Sequence, residues 1–450
     1  MRELLVWTVI VFFCLYSMKD WFAGVPLLIL MMAVYGDPEM PQSIAGIQGL
    51  NPWNTLLFST TLSYIFQKKK DNAHWDMDGF ATLLFVIYFI ALILSAIRLL
   101  SDQETLLFYG YRYGGTGSLI SEYIINPVKF LVPAYLVFVG ARTPARRKLI
   151  LWSIILAHIV IGLITIRNIP LSSVGSGDAL TQIGLKVLQK KFSWSKVNTA
   201  MLLGCGAWAV LFSTYFLFGN KRRYLCLMLF GLMTIALALT GGRMGYALWM
   251  IFGAYFAFTR WKKGLALLPL LTLIVLSILP SISDRILDGT GNNGDDMNTS
   301  TMTSGRTVAW PVVIDKIEQS PIFGYGGLAM IRTGAATEVS EIMQLKDGDR
   351  GFPHPHNAYL RILMDSGVVG GVPIMILWII ILLRSYNICG KMGSEEDAIG
   401  ITSFCLALGL CIAALGSQNF YPLHGSIALW ASIALTFRIY TDKVAHSKKL

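Results

Sequence analysis

Residues 79–98, GFATLLFVIYFIALILSAIR, form an apolar run whose one charge is at its end. An α-helix of about 20 apolar residues crosses the hydrocarbon core of a bilayer, so this run predicts a membrane-spanning helix. Similar runs recur from the first residues to the last, the mean hydropathy is +0.58, and only 14% of residues are charged. The sequence therefore predicts a polytopic membrane protein and excludes a soluble enzyme, a coiled coil, a disordered chain and a disulfide-rich secreted scaffold.

The apolar runs predict an all-α fold with about 12 transmembrane helices, or 13 if the first two runs both cross. We interpret Met1–Met18 as a first span rather than a cleaved signal peptide, because no small-residue cleavage site follows it. The predicted spans are 4–18, 21–36, 51–67, 79–98, 126–141, 149–166, 199–218, 224–240, 244–259, 264–280, 367–384, 397–416 and 425–440.

Short basic connections predict which side of the membrane each loop faces, because lysine and arginine are enriched in cytoplasmic loops. This assignment accounts for much of the net charge of +11 without a nucleic-acid partner. It puts the C-terminal tail inside, and we slightly prefer twelve spans with the N-terminus inside. The basic connections are Lys68–Lys70, Arg142–Lys148, Lys221–Arg223 and Arg260–Lys263, and the predicted outer segments are 99–125, 167–198, 281–366 and 417–424.

The segment 281–366 is long for a connection between spans, and such loops are usually functional or disordered. Residues 285–305 are rich in glycine and aspartate and predict coil, whereas 307–319, TVAWPVVIDKIEQ, has helical amphipathic spacing. We therefore divide the chain into an N-terminal transmembrane bundle (1–280, about nine or ten helices), a large periplasmic loop with short helices and a catalytic subdomain (281–366), and C-terminal transmembrane helices with a cytoplasmic tail (367–450).

Two histidines in FPHPHNAYL are the sharpest local signal, since imidazole exchanges protons near neutral pH. His354 and His356 flank a proline, and Asn357 and Tyr359 follow. A solvated loop histidine or a weak metal pair explains the same residues, although no third ligand lies nearby. The adjacent prolines and Asn357, whose amide can orient an imidazole, favour a shaped pocket.

Two arginines on the same predicted side match a reaction at a phosphorylated lipid. Arg243 lies between glycines at the outer end of a span, and Arg306 precedes the helix of the large loop. Each has an ordinary interpretation, as an interfacial arginine or a surface arginine. Guanidinium groups bind phosphate in bidentate fashion, so two arginines and a histidine together favour a phosphate-handling site.

Weaker candidates lie in the other outer loops. Arg112, among tyrosines, could help to bind sugar, although an aromatic belt at the interface explains this loop better. Lys190 and Lys191 place positive charge outside, which favours an anionic ligand, and a solvated amphipathic helix explains them nearly as well. No cofactor or metal is predicted, because the sequence has no P-loop, no dinucleotide-binding fingerprint, no HExxH and no CxxC pair.

Three blocks resemble the bacterial O-antigen ligase and O-antigen polymerase superfamily. They are GGRMG around Arg243, the pattern R-x₃-W…P-x-FG-x-G from Arg306 to Gly326, and HPHNAYLRILMDSGVVG at 354–370. The last block is the most specific, and the N-terminal third matches only in being hydrophobic.

The resemblance implies a largely helical inner-membrane glycosyltransferase whose active site faces the periplasm. It implies a glycan donor on undecaprenyl pyrophosphate, with His356 activating the acceptor hydroxyl and Arg243 and Arg306 holding the pyrophosphate. The reaction is then expected to be metal-independent and inverting, and His354 positions His356 or the acceptor. The acceptor stays open between lipid A core (ligase), a growing glycan (polymerase) and a protein.

The alternative is a transporter or flippase of a lipid-linked saccharide. Transporters of that kind carry ionisable residues or broken helices at mid-membrane in repeated halves. Such residues are scarce here, so the sequence favours the enzyme, with membrane lipids, a lipid-linked donor and an acceptor as its partners.

Overall fold

The computed structural model describes residues 2–44, 47–170, 172, 178–219, 222–262, 306–343, 353–416 and 418–447. The predicted span at 264–280 and the predicted coil at 285–305 lie outside the described residues. Within these residues the fold is helical apart from a two-residue antiparallel pair, β1 (Ser43–Ile44) with β2 (Ile47–Gln48).

The helices follow the predicted order of apolar runs. The first half contains α1 (Arg2–Ser17), α2 (Gly24–Leu30), α3 (Pro52–Gln67), α4 (Gly79–Ser101), α5 (Glu104–Phe108), α6 (Thr116–Ile120), α7 (Asn126–Gly140), α8 (Pro144–Asn168) and α9 (Asp178–Phe192). The second half contains α10 (Lys196–Phe218), α11 (Arg223–Thr240), α12 (Arg243–Thr259), α13 (Arg306–Gln319), α14 (Ala329–Arg332), α15 (Ala335–Ile342), α16 (Ala358–Ile388), α17 (Glu395–Ala413) and α18 (Ile427–Ser447). Single 3₁₀ turns lie at Trp21–Ala23, Met31–Ala33 and His424–Ser426.

The multi-pass helical membrane architecture is confirmed. Among the described residues, seven helices are long and apolar enough to cross a membrane: Gly79–Ser101, Thr116–Gly140, Pro144–Asn168, Lys196–Phe218, Arg223–Thr240, Ala358–Ile388 and Glu395–Ala413. The total of about twelve spans stays a prediction, although a helix occupies every predicted span that is described. Asp78 shows how local sequence sets a boundary, because its carboxylate caps α4 by accepting from Ala81 N at 3.0 Å.

One predicted boundary is wrong by several residues, and a second coincides with a break in a helix. The outer loop 99–125 is shorter than predicted, because a π-turn at Ser121–Ile125 joins α6 to α7 in one continuous helix. The polar residues Ser121 and Glu122 interrupt the apolar run, so apolar patterning alone places its start after them. The helix that contains the predicted span 367–384 starts at Ala358 and is broken at Gly367, where φ is 60° and ψ is −166°, so the break coincides with the predicted start of the span.

Ion pairs tie together the helix ends that carry the short basic connections. Arg142 and Arg438 both contact Asp76, and Arg384 contacts Asp78 at 2.7 Å. These contacts join the connection before α4 to α7, α16 and α18. Much of the charge that the sequence assigns to topology therefore also holds helices together on that side.

A turn at 321–327 fastens the segment after α13 to the break in α16. Tyr325 N donates to Met364 O at 2.8 Å and Gly326 N to Asp365 O at 2.7 Å, while Val368 N donates back to Pro321 O at 2.8 Å. These bonds satisfy peptide groups that the break in α16 leaves without helical partners. The glycines of the FG-x-G pattern thus serve close backbone packing.

Gly324 tests this contact because its φ is +61° and a Cβ there would lie 2.6 Å from Met364 O. We expect Gly324→Ala to lower the free energy of unfolding by about 2 kcal/mol or more, since it adds left-handed strain to a clash with backbone. Thermal unfolding in detergent measures the change.

Gly231→Ala is the matched control, because Gly231 is helical and has no atom within 4 Å of its Cβ position. We expect it to be neutral or slightly stabilising. Equal unfolding midpoints for the two variants would contradict the role assigned to the turn.

Candidate functional site

The histidine segment is a tight turn held from both ends. Asn357 caps α16, its side-chain oxygen accepting from Tyr359 N at 3.0 Å and Leu360 N at 3.2 Å. Trp310 of α13 donates its indole N–H to Pro355 O at 3.0 Å. His356 has φ +50°, a left-handed conformation that non-glycine residues adopt only when the surroundings enforce it. The contacts at the two ends of the turn therefore hold His356 in a strained backbone conformation.

The two histidines are partly buried and lie edge to face, with ring centroids 4.4 Å apart and planes at 76°. Burial lowers the pKa of His356 to about 4, with a further contribution from the positive charge of Arg306. Burial also lowers the pKa of His354 to about 4, assisted by His356 and Arg361. Both rings are therefore neutral near pH 7, and a neutral imidazole can accept a proton.

Arg306, the first residue of α13, brings a positive charge to this site, and no ion pair with a carboxylate is found for it among the described residues. Its side chain is half-buried, and its Nε atom is buried without a hydrogen-bond partner among the described residues. Burial lowers the pKa of Arg306. A buried donor that is left unsatisfied is unfavourable, and its positive charge disfavours protonation of His356. An anion bound at Arg306 would relieve both effects.

Three helix starts converge on the chain that follows α17. A Cβ on Gly416 would lie 3.2 Å from Cε of Met244, the second residue of α12, and 3.7 Å from Nη2 of Arg306. Ala414 O accepts from Ala358 N, the first residue of α16, at 2.8 Å. The starts of α12, α13 and α16 carry Arg243, Arg306 and His356, respectively, so the fold brings together the three elements on which these residues lie.

Arg243 lies at the outer edge of this cluster. It is the first residue of α12, follows a turn at Gly241–Gly242 and is exposed. Gly245, one residue after Met244, packs against α10, where a Cβ would lie 2.4 Å from Ala200 O. This close packing fixes the start of α12, while the long arginine side chain extends from it.

The other predicted binding residues have contacts of a different kind. The Asn357 side-chain oxygen binds helix N–H groups rather than an imidazole, and the Tyr359 hydroxyl donates to Cys411 O at 2.9 Å. Arg112 and Lys190 are exposed, and Lys191 pairs with Glu39 at 3.1 Å and Asp37 at 3.6 Å. Binding of substrate by these five residues stays a prediction.

A buried network below the histidines escaped the sequence reasoning. Asp365 is 2% exposed and lies 3.5 Å from Arg361 Nε, and the Tyr421 hydroxyl donates to its Oδ2 at 2.8 Å. The guanidinium carbon of Arg361 lies 4.9 Å from the centre of the Tyr421 ring. The i,i+4 spacing of Arg361 and Asp365 was a visible signal for the pair, whereas Tyr421 is distant in sequence.

A comparison with known protein families matches the part of the chain that carries this site. Residues 228–375 match the family model described as O-antigen ligase. A protein of Rickettsia conorii that carries the provisional name polysaccharide ligase is 24% identical over 248 residues, which cover 54% of this chain and 57% of that protein. The chain thus spans little more than half the length of this relative.

The resemblance to the O-antigen ligase family is thereby confirmed, and residues 228–375 are the part of the chain that carries it. The matched segment contains Arg243, Arg306, His354 and His356.

The strained backbone at His356 gives a test of the site geometry. We expect His356→Gly to be more stable than His356→Ala by about 1 kcal/mol, because glycine adopts a positive φ without the Cβ penalty. Both variants lack the imidazole, so thermal unfolding of the pair isolates the backbone effect. An alanine variant as stable as the glycine variant would show that His356 is not left-handed.

Proposed function

We propose that this protein is a membrane glycosyltransferase that moves a glycan from undecaprenyl pyrophosphate onto an acceptor hydroxyl at the periplasmic face. The observation that carries the proposal is the half-buried guanidinium of Arg306 beside a histidine that is held neutral. This pairing supplies a proton acceptor and an anion-binding group within one site.

In the proposed reaction, His356 accepts the proton of the acceptor hydroxyl while that oxygen attacks the anomeric carbon of the donor sugar. The bond between this carbon and the pyrophosphate oxygen breaks, and undecaprenyl pyrophosphate leaves with the bonding electron pair. Attack opposite the leaving group inverts the anomeric centre. Arg306 and Arg243 neutralise the charge that develops on the pyrophosphate, so the proposed reaction needs no metal.

The site explains why the donor should be a lipid pyrophosphate. Arg243 lies at an end of the predicted span 244–259, and the histidine turn precedes the helix that continues into the predicted span 367–384. Both are therefore expected next to the bilayer, where a lipid-linked substrate is presented. A diphosphate leaving group carries enough negative charge to match two guanidinium groups. Cleavage of the bond between the sugar and the lipid pyrophosphate supplies the driving force for transfer. A nucleotide sugar, which the periplasm does not supply, is then not needed.

The acceptor is proposed at the level of its hydroxyl group. Lipid A core, a growing glycan and a protein all present such a nucleophile, and the same donor chemistry serves each of them. Transport of an intact lipid-linked saccharide is an outcome of the test below, and no contact among the described residues favours it.

Glycan transfer in proteoliposomes, with a donor linked to undecaprenyl pyrophosphate and with EDTA present, tests the proposal. We expect His356→Ala to lower the transfer rate about 10²–10⁴-fold, because it removes the proton acceptor. We expect Arg306→Lys to lower it about 10–100-fold, because lysine keeps the charge and loses the bidentate geometry. Lipid A core, oligosaccharide and protein acceptors are offered separately, and the one that gains mass identifies the reaction.

Two substitutions outside the site are matched controls, namely His74→Ala and Arg223→Lys, since both side chains are exposed at other connections. We expect wild-type rates from both. The proposal is wrong if His356→Ala transfers glycan at the wild-type rate, or if the lipid crosses the bilayer with its glycan intact.

A further inference from the structure

An apolar groove of about 390 Å³ runs between α4 and α16. Its wall on α4 contains Ile87, Ile90 and Leu94 at helical spacing, and its wall on α16 contains Val369. Leu94 and Val369 are 54% and 52% exposed, and both lie on candidate spans. A surface of this kind faces lipid hydrocarbon rather than water, so a hydrocarbon chain suits the groove.

One end of the groove is polar and cationic. Arg98, in the last turn of α4, is exposed there and donates from Nη1 to Phe323 O at 2.8 Å. Among the described residues, Phe323 O is the hydrogen-bond partner found for the guanidinium of Arg98. Asp365 also reaches this end, but its charge is offset by Arg361 at 3.5 Å. The end of the groove therefore presents one net positive charge.

The charge at the groove distinguishes it from the catalytic site. A single guanidinium complements a phosphodiester, which carries one negative charge, whereas a pyrophosphate matches the pair Arg243 and Arg306. We propose that the groove binds a glycerophospholipid, with an acyl chain between α4 and α16 and its phosphodiester on Arg98. This lipid is distinct from the donor.

The groove adjoins the 321–327 turn, which follows α13 and packs on the break in α16. Phe323 of the 321–327 turn lines the groove with 65% of its side chain exposed, and it directly precedes Gly324, which packs on the break in α16. Gly327 N donates to Ser95 O of α4 at 2.8 Å. A bound lipid covers Phe323 and engages Arg98, so it stabilises the docked turn and, through α13, the placement of Arg306.

Lipid binding by the full-length, delipidated protein tests the site directly. Native mass spectrometry is used with three probes, namely phosphatidylglycerol, diacylglycerol with the same chains, and undecaprenyl phosphate. We expect wild type to prefer phosphatidylglycerol over diacylglycerol. We expect Arg98→Gln to weaken phosphatidylglycerol binding about tenfold and to abolish this preference, because the charged donor is lost.

A bulky substitution separates groove binding from general lipid contact. We expect Leu94→Trp to fill the groove and abolish specific binding, whereas Ile93→Trp, at nearly the same depth on α4 but outside the groove, leaves it unchanged. Phosphatidylglycerol should also raise the unfolding temperature of wild type and Ile93→Trp, and not that of Leu94→Trp. Equal binding by the two tryptophan variants overturns the site.

The effect on transfer rests on the proposed function, so it is measured separately. In bilayers of an uncharged glycolipid, we expect the wild-type transfer rate to rise with added phosphatidylglycerol and the Leu94→Trp rate to stay flat. His356→Ala should bind phosphatidylglycerol normally, so a failure of the catalytic proposal leaves the lipid result interpretable. Displacement of phosphatidylglycerol by undecaprenyl phosphate would instead assign the groove to the donor chain and overturn the proposal.

Discussion

The pairing of the 321–327 turn with the break in α16 is the constraint on which the geometry of the candidate site depends. α16 carries the histidine turn at its start and breaks at Gly367, and the turn that follows α13 bonds to the peptide groups around that break. Because α13 begins with Arg306, one backbone contact relates the arginine to the histidines. Glycine at 324 and 367 permits this contact, since a Cβ at either position would collide with backbone atoms.

A guanidinium group beside a neutral imidazole defines the chemistry of the site as far as the described residues show it. Burial lowers the pKa of His356, and the positive charge of the half-buried Arg306 lowers it further, so the free site keeps the imidazole neutral beside an anion-binding group. The unsatisfied Nε donor of Arg306 destabilises the site without a ligand, and a bound phosphate that accepts from it removes this cost. The same guanidinium would therefore bind the donor and, once neutralised, leave His356 a stronger base for the acceptor hydroxyl.

The sequence predicted the order of the helices better than it predicted their contacts, and the roles of the site residues stay predictions. Apolar runs located each described helix that fills a predicted span, and the resemblance selected Arg243, Arg306 and His356. Local pattern missed the continuation of α7 into α6, because the polar residues Ser121 and Glu122 interrupt the apolar run. It also missed Tyr421 and Arg98, whose roles depend on contacts between residues far apart in the chain. Such contacts follow from packing, which a single sequence does not display.

The pH dependence of transfer tests the coupling of Arg306 to His356 most directly. His356 must be neutral to accept a proton, so the rate is lost as the pH falls through the pKa of His356. The pH dependence of kcat/KM reports this pKa in the free enzyme, and that of kcat reports the pKa in the enzyme–substrate complex. We predict that kcat/KM falls on the acid side at a pH well below the ordinary histidine pKa of about 6.5. We predict that kcat falls at a higher pH, because bound pyrophosphate neutralises Arg306. In Arg306→Gln, the pH at which kcat/KM falls should shift upward. Coincident limbs near the ordinary value, unchanged in Arg306→Gln, would contradict the account.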